Sequence, residues 1–230
     1  MEIDKKMPAL TIEDDVVIFG LKYTPQENTI FVGNLKSGGQ IHYGTYINTC
    51  DYFDVISLLR KKARLAGSNI IKINEFEYPS FFSKCIQIDA DLYYAKDAKS
   101  TIEEYYKRNI RSQNNEEAIV YFMRPYINPG SGLSAKIYSG NQNHINNVYS
   151  GFVYHHKIKE DGEYSFYIEG NEGMKVNLNV EMGNEYYVVI KFDQGWVKTG
   201  FLIEDITEKH SHYENKALVI ELIPKYPKEK

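Results

Sequence analysis

The segment KVNLNVEMGNEYYVVIKF, residues 175–192, decides the fold of the second half of the chain. Val176, Leu178 and Val180 alternate with Asn177 and Asn179. This two-residue period is typical of a strand that turns one face to an apolar core. Met-Gly-Asn then supplies a turn, and Tyr-Tyr-Val-Val-Ile begins another strand. We therefore predict two strands that cover a common core.

Similar strand patterns fill the chain from Ala118 onward. The dipeptide Asp161-Gly162 predicts a tight hairpin between two of them. Short strands at this spacing are typical of an antiparallel sandwich, so residues 118–230 are predicted to form an immunoglobulin-like β-sandwich. The predicted strands are AIVYFMRP, LSAKIY, FVYHHKIK, YSFYIEG, KVNLNVEM, EYYVVIKF, GFLIEDIT and ALVIELI.

Residues 1–96 mix strands with one helix. Val55, Ile56, Leu59 and Ala63 recur at three- and four-residue steps, which makes one apolar stripe of a helix. Gly67 follows where a left-handed residue ends a helix, whereas a phosphate-binding loop would precede one. The predicted strands are DVVIFG (15–20), TIFVGNLK (29–36), IHYGTYINT (41–49), NIIKINEFEY (69–78) and CIQIDADLYYA (85–95).

Residues 97–117, DAKSTIEEYYKRNIRSQNNEE, are polar and carry both signs of charge. They predict a connector with a short helix near 100–109. The predicted fold class is therefore α+β, with two domains. A small α/β module with one main helix on a short sheet is followed by the connector and the sandwich.

Composition excludes several classes of function. The 230 residues carry a net charge of −4. Proteins that bind nucleic acid or an anionic membrane usually present an excess of basic residues, so binding to either is not expected. No apolar run is long enough to span a bilayer. The opening residues, MEIDKKMPALTIEDD, contain no signal peptide. The expected location is periplasmic or outer-membrane-associated if a leader was removed, and otherwise cytoplasmic.

Two parts of the chain resemble bacterial families. AIVYFMRP, NPGSGLSAKIYSG and EMGNEYYVVIKF make residues 118–208 similar to a β-sandwich family of unknown function found in exported proteins and lipoproteins. FVGNLK, KKARLAGSNIIKI and CIQIDADLYY make residues 16–95 resemble the α/β modules of the YbjQ type and of the Rcs-pathway stress-sensor lipoprotein. The resemblance implies a cell-envelope protein, with a lipid anchor on a removed leader as an option. It carries no catalytic residue to any position here.

Cys50 and Cys85 are candidates for a disulfide. If both segments are extended, each cysteine has the parity opposite to the isoleucines of its strand, so both emerge on one side of a shared sheet. A bridge would stabilise the fold by roughly 4 kcal/mol in the chain-entropy model and implies an oxidising compartment. Free buried thiols are the alternative. A redox or metal role lacks a CxxC motif or a neighbouring histidine.

Three further residues are candidate contacts with a partner or ligand. Arg124 ends the first sandwich strand, where it either holds a neighbouring strand or contacts a ligand, and Tyr187 and Trp196 belong to the many aromatics.

His155 and His156 are adjacent on a strand and point to opposite faces, so they cannot share a metal. The chain contains no P-loop, dinucleotide fingerprint, HExxH or GxSxG motif. No metal, cofactor or catalytic residue is therefore predicted.

These observations lead to one expectation with two alternatives. The leading expectation is a non-enzymatic binding, structural or sensing module of the bacterial cell envelope, with a protein or envelope component as its partner. The alternatives are a small-ligand or glycan-binding module and an enzyme with a site between the two domains.

The disulfide has a direct test. We expect thiol titration of the unfolded, non-reduced protein, made under oxidising conditions, to find no free thiol. Two free thiols in such material would contradict the bridge and remove the cysteine argument for an oxidising compartment.

Overall fold

The computed structural model describes residues 1–11, 15–21, 23–38, 52–77, 86–109, 116–126, 132–140, 142–194, 199–209 and 212–219. Within these ranges thirteen strands and three helices make the chain mainly β, which corrects the expectation of α+β with one main helix. Cys50, Cys85, Trp196 and the strand predicted over 41–49 lie outside the described residues.

Two compact units divide the chain, Met1–Arg111 and Ser112–Lys230. The division falls inside the predicted connector, residues 97–117. Each unit has its own sheet structure and its own buried apolar residues.

The described residues of the first unit form one five-stranded sheet and two helices. The strands are β1 (Glu2–Ile3), β2 (Val17–Phe19), β3 (Ile30–Gly38), β4 (Ile70–Glu77) and β5 (Gln87–Tyr94), and the helices are α1 (Tyr52–Leu65) and α2 (Ala98–Asn109). The strand order is β1-β3-β5-β4-β2. β2 and β4 run parallel, and the other neighbours run antiparallel.

Helix α1 buries the apolar stripe that the sequence predicts. Val55, Ile56, Leu59 and Ala63 are at most 4% exposed, whereas Leu58 beside them is 44% exposed. The helix contacts β3, β4 and β5. The three- and four-residue spacing therefore identified the buried face correctly.

A Schellman turn ends α1 at the predicted glycine. Gly67 has a φ of +75°, its N–H donates to the carbonyl of Arg64 at 3.0 Å, and the Ser68 N–H donates to the carbonyl of Ala63 at 2.9 Å. A Cβ at position 67 would lie 2.4 Å from the carbonyl oxygen of Pro8. Both the left-handed backbone and the close N-terminal segment therefore require glycine here.

Helix α2 confirms the helix predicted near 100–109 and packs on the sheet of the first unit. The Phe19 ring of β2 stacks on Tyr23, with ring centroids 3.7 Å apart, and meets Tyr105 of α2 edge-on at 5.5 Å. Tyr105 also meets Tyr23 edge-on at 5.2 Å. Tyr105 is thus a packing residue that ties α2 to β2.

The described residues of the second unit form eight strands and one short helix. They are β6 (Ala118–Arg124), β7 (Ser134–Ser139), β8 (His144–Tyr149), β9 (Phe152–Ile158), β10 (Gly162–Ile168), β11 (Lys175–Val180), β12 (Glu185–Gln194), β13 (Thr199–Asp205) and α3 (His212–Ala217). The front sheet has the order β11-β10-β7-β8, and the back sheet has the order β13-β12-β6-β9.

The front and back sheets share one apolar core. Val176, Leu178 and Val180 of β11 are buried and their neighbours exposed, as the alternation predicts. Phe122 of the back sheet and Phe166 of the front sheet meet edge-on in this core, with ring centroids 5.1 Å apart. The unit is therefore two sheets packed face to face.

Three expectations for this unit are wrong. β6 and β12 run parallel, so the strands are not all antiparallel. β9 and β10 lie in different sheets, so the connection with Asp161 and Gly162 crosses between sheets and is no hairpin. Ala217, where the predicted last strand begins, ends α3 instead, and residues 220–223 of that predicted strand lie outside the described residues. In each case the strand or helix is placed by packing against the core, which local sequence does not report.

β8 has no counterpart among the predicted strands. Its sequence, HINNVY, places Asn146 and Asn147 next to each other and so interrupts the apolar alternation. Only Val148 of this strand is fully buried. A strand at the edge of a sheet needs few apolar residues, and its periodic signal is correspondingly weak.

A pair of neighbouring leucines tests the packing of α1. We expect Leu59→Ala to lower the free energy of unfolding of the first unit by about 2–5 kcal/mol, because the side chain is fully buried. Leu58→Ala, the matched control, should change it by less than about 0.5 kcal/mol. Urea unfolding followed by circular dichroism measures both, and equal losses would show that the buried face is misassigned.

Candidate functional site

The outer face of the back sheet carries the largest group of buried polar side chains among the described residues. Val120 of β6 and Val188 of β12 point into the core, so Tyr121 and Tyr187 point to the opposite, outer face. Both tyrosines are buried there, at 5% and 0% exposure. Lys216 of α3 reaches the hydroxyl of Tyr121, so α3 lies over this face.

Glu185, the first residue of β12, is the centre of this group. Its Oε1 accepts a hydrogen bond from the Tyr121 hydroxyl at 2.8 Å, and its Oε2 accepts one from the Tyr187 hydroxyl at 2.6 Å. Lys216 forms an ion pair with Oε1. The side chains of Glu185 and Lys216 are only 3% and 8% exposed, so a buried charge pair joins α3 to the sheet.

The Lys216 ammonium contacts the Tyr121 ring as well as Glu185. Lys216 Nζ donates to the Tyr121 hydroxyl at 2.9 Å and lies 4.9 Å from the centroid of the same ring. The rings of Tyr121 and Tyr187 stack nearly parallel, with centroids 5.3 Å apart. The ammonium therefore meets a carboxylate, a hydroxyl and an aromatic face, and we call the set Tyr121, Glu185 and Tyr187 the ammonium cage.

Two histidines form the open side of the cage. His212 has half of its side chain exposed, and its Nδ1 lies 3.3 Å from the Tyr187 hydroxyl while its Nε2 lies 3.7 Å from Glu185 Oε2. His155 is exposed on β9, and its ring meets Tyr121 edge-on at 4.8 Å. Both histidines therefore contact the cage and reach solvent.

The electrostatics of the cage oppose proton transfer. Burial alone would raise the pKa of Glu185, but hydrogen bonds from Lys216 and Tyr187 outweigh it and hold the pKa below its ordinary value. Burial, with the Glu185 charge beside it, raises the pKa of Tyr121 far above its usual range. A carboxylate that stays ionised and a phenol that stays protonated exchange no proton near neutral pH. The arrangement is suited to holding a cation.

A second candidate surface lies at one end of the second unit. Among the described residues of this unit, the large apolar side chains that are exposed are Leu133, Tyr149, Phe152 and Met174, at 53%, 47%, 40% and 53%. We call these four residues the apolar end.

Strand register brings these four residues to the same end. Ser134, which follows Leu133, pairs with Tyr149 across β7 and β8. Phe152 pairs with Arg124 at the end of β6. The turn that contains Met174 is tied to β13 by a 3.0 Å hydrogen bond from the Asn171 side-chain amide to the Phe201 carbonyl. The four residues therefore lie at the same end of the unit, and there the rings of Tyr149 and Phe152 meet edge-on, with centroids 6.2 Å apart.

Arg124 is buried next to the apolar end and joins its strands by hydrogen bonds. Its side chain is fully buried, and Nη1 donates to the carbonyls of Leu133 at 2.5 Å and of Val148 at 3.3 Å. Its guanidinium lies 4.5 Å from the centroid of the Phe201 ring. Burial lowers the pKa of Arg124 to about 10. The structure thus places Arg124 in a bracing position between the strands, with no exposed surface of its own.

The other predicted candidates take different positions. Tyr187 lies fully buried in the ammonium cage, so it contributes no exposed surface. His156 faces the core, with its ring 6.0 Å from Phe166, and burial lowers its pKa. Cys50, Cys85 and Trp196 lie outside the described residues.

Sequence reasoning missed Glu185, Lys216 and His212. One signal was present, because Tyr121 and Tyr187 occupy outward positions in runs that otherwise read as buried strands. Outward aromatic residues in such runs indicate that something covers the second face. The covering residue, Lys216, lies on a helix in a stretch for which no helix was predicted.

Comparisons of the chain with protein-family models, with curated proteins and with solved structures found no match. The described residues contain no group of three or more His, Cys, Asp or Glu placed to hold a metal ion. In the same part of the chain, none of the helices has the length and apolar character needed to cross a membrane.

The charge of Glu185 makes the stability of the second unit depend on pH. Its folded-state pKa is lowered, so the stability that it contributes is present above the ordinary value of 4.5 and is lost as the pH falls through the folded-state value. We expect Glu185→Gln to lower the free energy of unfolding at pH 7 by about 3–5 kcal/mol, because it leaves Lys216 buried without its partner.

Denaturant unfolding at pH 7, 5, 4 and 3 checks this expectation. The difference between the wild type and Glu185→Gln should shrink below pH 4.5. Glu163→Gln, an exposed change on β10, should have little effect at pH 7. A wild-type to Glu185→Gln difference that stays constant down to pH 3 would argue against an ionised Glu185 in the fold.

Proposed function

We propose that the chain is a non-enzymatic binding protein of the bacterial cell envelope, and that its second unit binds a protein partner through the apolar end. The observation that carries the proposal is the collection of Leu133, Tyr149, Phe152 and Met174 at one end of the unit. Single exposed apolar residues are ordinary on a protein surface, whereas adjoining ones, such as Tyr149 and Phe152 with ring centroids 6.2 Å apart, are characteristic of an interaction site.

The rigidity of the apolar end supports the proposal. The Arg124 guanidinium joins the backbone beside Leu133 to β8 through two carbonyl oxygens. The β8–β9 turn is held by a 2.8 Å bond from the Gly151 N–H to the Arg124 carbonyl. A surface that is fixed before binding loses little conformational freedom in the complex. Tyr149 and Phe152 are the residue types that commonly anchor interfaces.

The envelope location rests on sequence. Residues 118–208 resemble a sandwich family of exported proteins and lipoproteins, and the immunoglobulin-like relationship of this unit is part of the same proposal. The two-sheet packing of β6 to β13 is compatible with it. The proposed Cys50–Cys85 disulfide and a lipid anchor on a removed leader would both follow from export.

The test uses the full chain as bait. We expect a protein partner from a bacterial envelope fraction to be cross-linked to the wild type, and its purified form to bind at least tenfold more weakly to the double variant Tyr149→Ser, Phe152→Ser. That loss corresponds to about 1.4 kcal/mol, a modest contribution for two aromatic contacts. Titration calorimetry measures both affinities.

Leu65→Ser is the matched control, because Leu65 is also exposed, at 65%, but lies in the first unit. It should leave the affinity within about twofold. An affinity unchanged in the double variant would contradict the role of the apolar end. Binding of an oligosaccharide, lost in the same double variant, would replace the protein partner by a glycan, since exposed tyrosine and phenylalanine rings also stack on sugars.

A further inference from the structure

The ammonium cage is complete without Lys216. Its carboxylate, Glu185, is oriented by the hydroxyls of Tyr121 and Tyr187, at 2.8 and 2.6 Å. These three residues lie on the paired strands β6 and β12. Only the ammonium comes from elsewhere, from α3. The ammonium cage therefore belongs to the back sheet, and the Lys216 ammonium that fills it belongs to α3, a short helix outside that sheet.

The contacts suit the cage to a cation that carries N–H groups, as the lysine ammonium does. The buried carboxylate needs a positive charge, because an unpaired buried charge is strongly destabilising. The Tyr121 hydroxyl oxygen accepts an N–H from the cation at 2.9 Å, and the Tyr121 ring faces the cation at 4.9 Å. A quaternary ammonium has no N–H to donate, and an uncharged alkyl chain leaves Glu185 without a partner.

The segment that supplies Lys216 is a single short helix. Helix α3 has six residues, and isolated helices of this length are not stable in water. Besides Lys216, two described side chains anchor it. The Asn215 side-chain amide donates to the carbonyls of Ile206 and Thr207, at 3.1 and 3.2 Å. The His212 ring lies 3.3 Å from the Tyr187 hydroxyl and 3.7 Å from Glu185 Oε2. Once α3 leaves the sheet it is too short to stay helical. Lys216 and His212 leave with it, so the cage opens beside His155 of β9.

We propose that the ammonium cage is a binding site for the lysine side chain of another protein, and that Lys216 occupies it in cis as a plug. In this arrangement α3 blocks the site until it is displaced. The site is distinct from the apolar end and does not depend on the function proposed for it.

The experiment removes the plug and supplies a lysine analogue. The probe is N-acetyl-lysine N-methylamide, compared with the norleucine analogue, which has the same alkyl chain without the ammonium. Both are titrated into wild type and Lys216→Ala, with ¹H–¹⁵N NMR shifts as the readout. We expect Lys216→Ala to bind the lysine analogue at least tenfold more tightly than the norleucine analogue. We expect wild type to bind the lysine analogue at least tenfold more weakly than Lys216→Ala does, because an intramolecular lysine competes at high effective concentration.

Three controls separate the cage from general loosening of the C-terminal segment. Lys216→Met fills the cage with an uncharged side chain and should not bind the lysine analogue. Asn215→Ala weakens the anchoring of α3 but leaves Lys216 in place, and should bind it more weakly than Lys216→Ala. The double variant Lys216→Ala, Glu185→Gln removes the carboxylate and should lose selectivity for the lysine analogue over the norleucine analogue.

The outcomes decide the proposal in both directions. Equal binding of the two analogues by Lys216→Ala, or no binding of either, would overturn it. Equal binding of the lysine analogue by wild type and Lys216→Ala would show that Lys216 is not a plug. If Lys216→Ala does not fold alone, the refolded fraction is measured in n-propylammonium chloride against tetramethylammonium chloride. A higher fraction in n-propylammonium supports the proposal, and equal fractions overturn it.

Discussion

Burial of β12 on both faces is the constraint on which the second unit depends. One face, with Val188 and Ile190, fills the core between the two sheets. On the other face, Tyr187 and Val189 are equally inaccessible. When neither face of a strand is exposed to solvent, its polar side chains are buried too. The Glu185 carboxylate therefore needs hydrogen-bond and charge partners within the chain. The two tyrosines, Lys216 and the position of α3 all answer that requirement.

Local patterns predicted the elements whose cause is local. The apolar stripe of α1 follows from a spacing of three to four residues, and the alternation of β11 follows from a spacing of two. The end of α1 follows from a glycine at position 67. The structure confirms all three. The helix near 100–109 was predicted, whereas its packing through Tyr105 on Phe19 was not. Contacts between residues far apart in sequence leave no periodic signal in either segment.

The same limit explains which parts of the candidate sites were found. Tyr187 and Arg124 stood out by residue type, yet neither is exposed, because type does not report which face is covered. Glu185 and Lys216 are 31 positions apart and Tyr121 and Lys216 are 95 apart, so their meeting depends on tertiary structure. The apolar end was equally hidden, since Leu133, Tyr149, Phe152 and Met174 come together only through register across both sheets.

The parallel pairing of β6 with β12 has a consequence for how the second unit forms during synthesis. β6 is the first strand of the unit to be made, and it lies in the middle of the back sheet, between β9 and β12. Its pairing of Ile119 with Glu185 closes a long stretch of chain. Long-range pairings form slowly and late. An unfinished chain therefore presents the apolar strand β6 with one side unpaired until β12 has left the ribosome, and during that interval the unit is most exposed to aggregation.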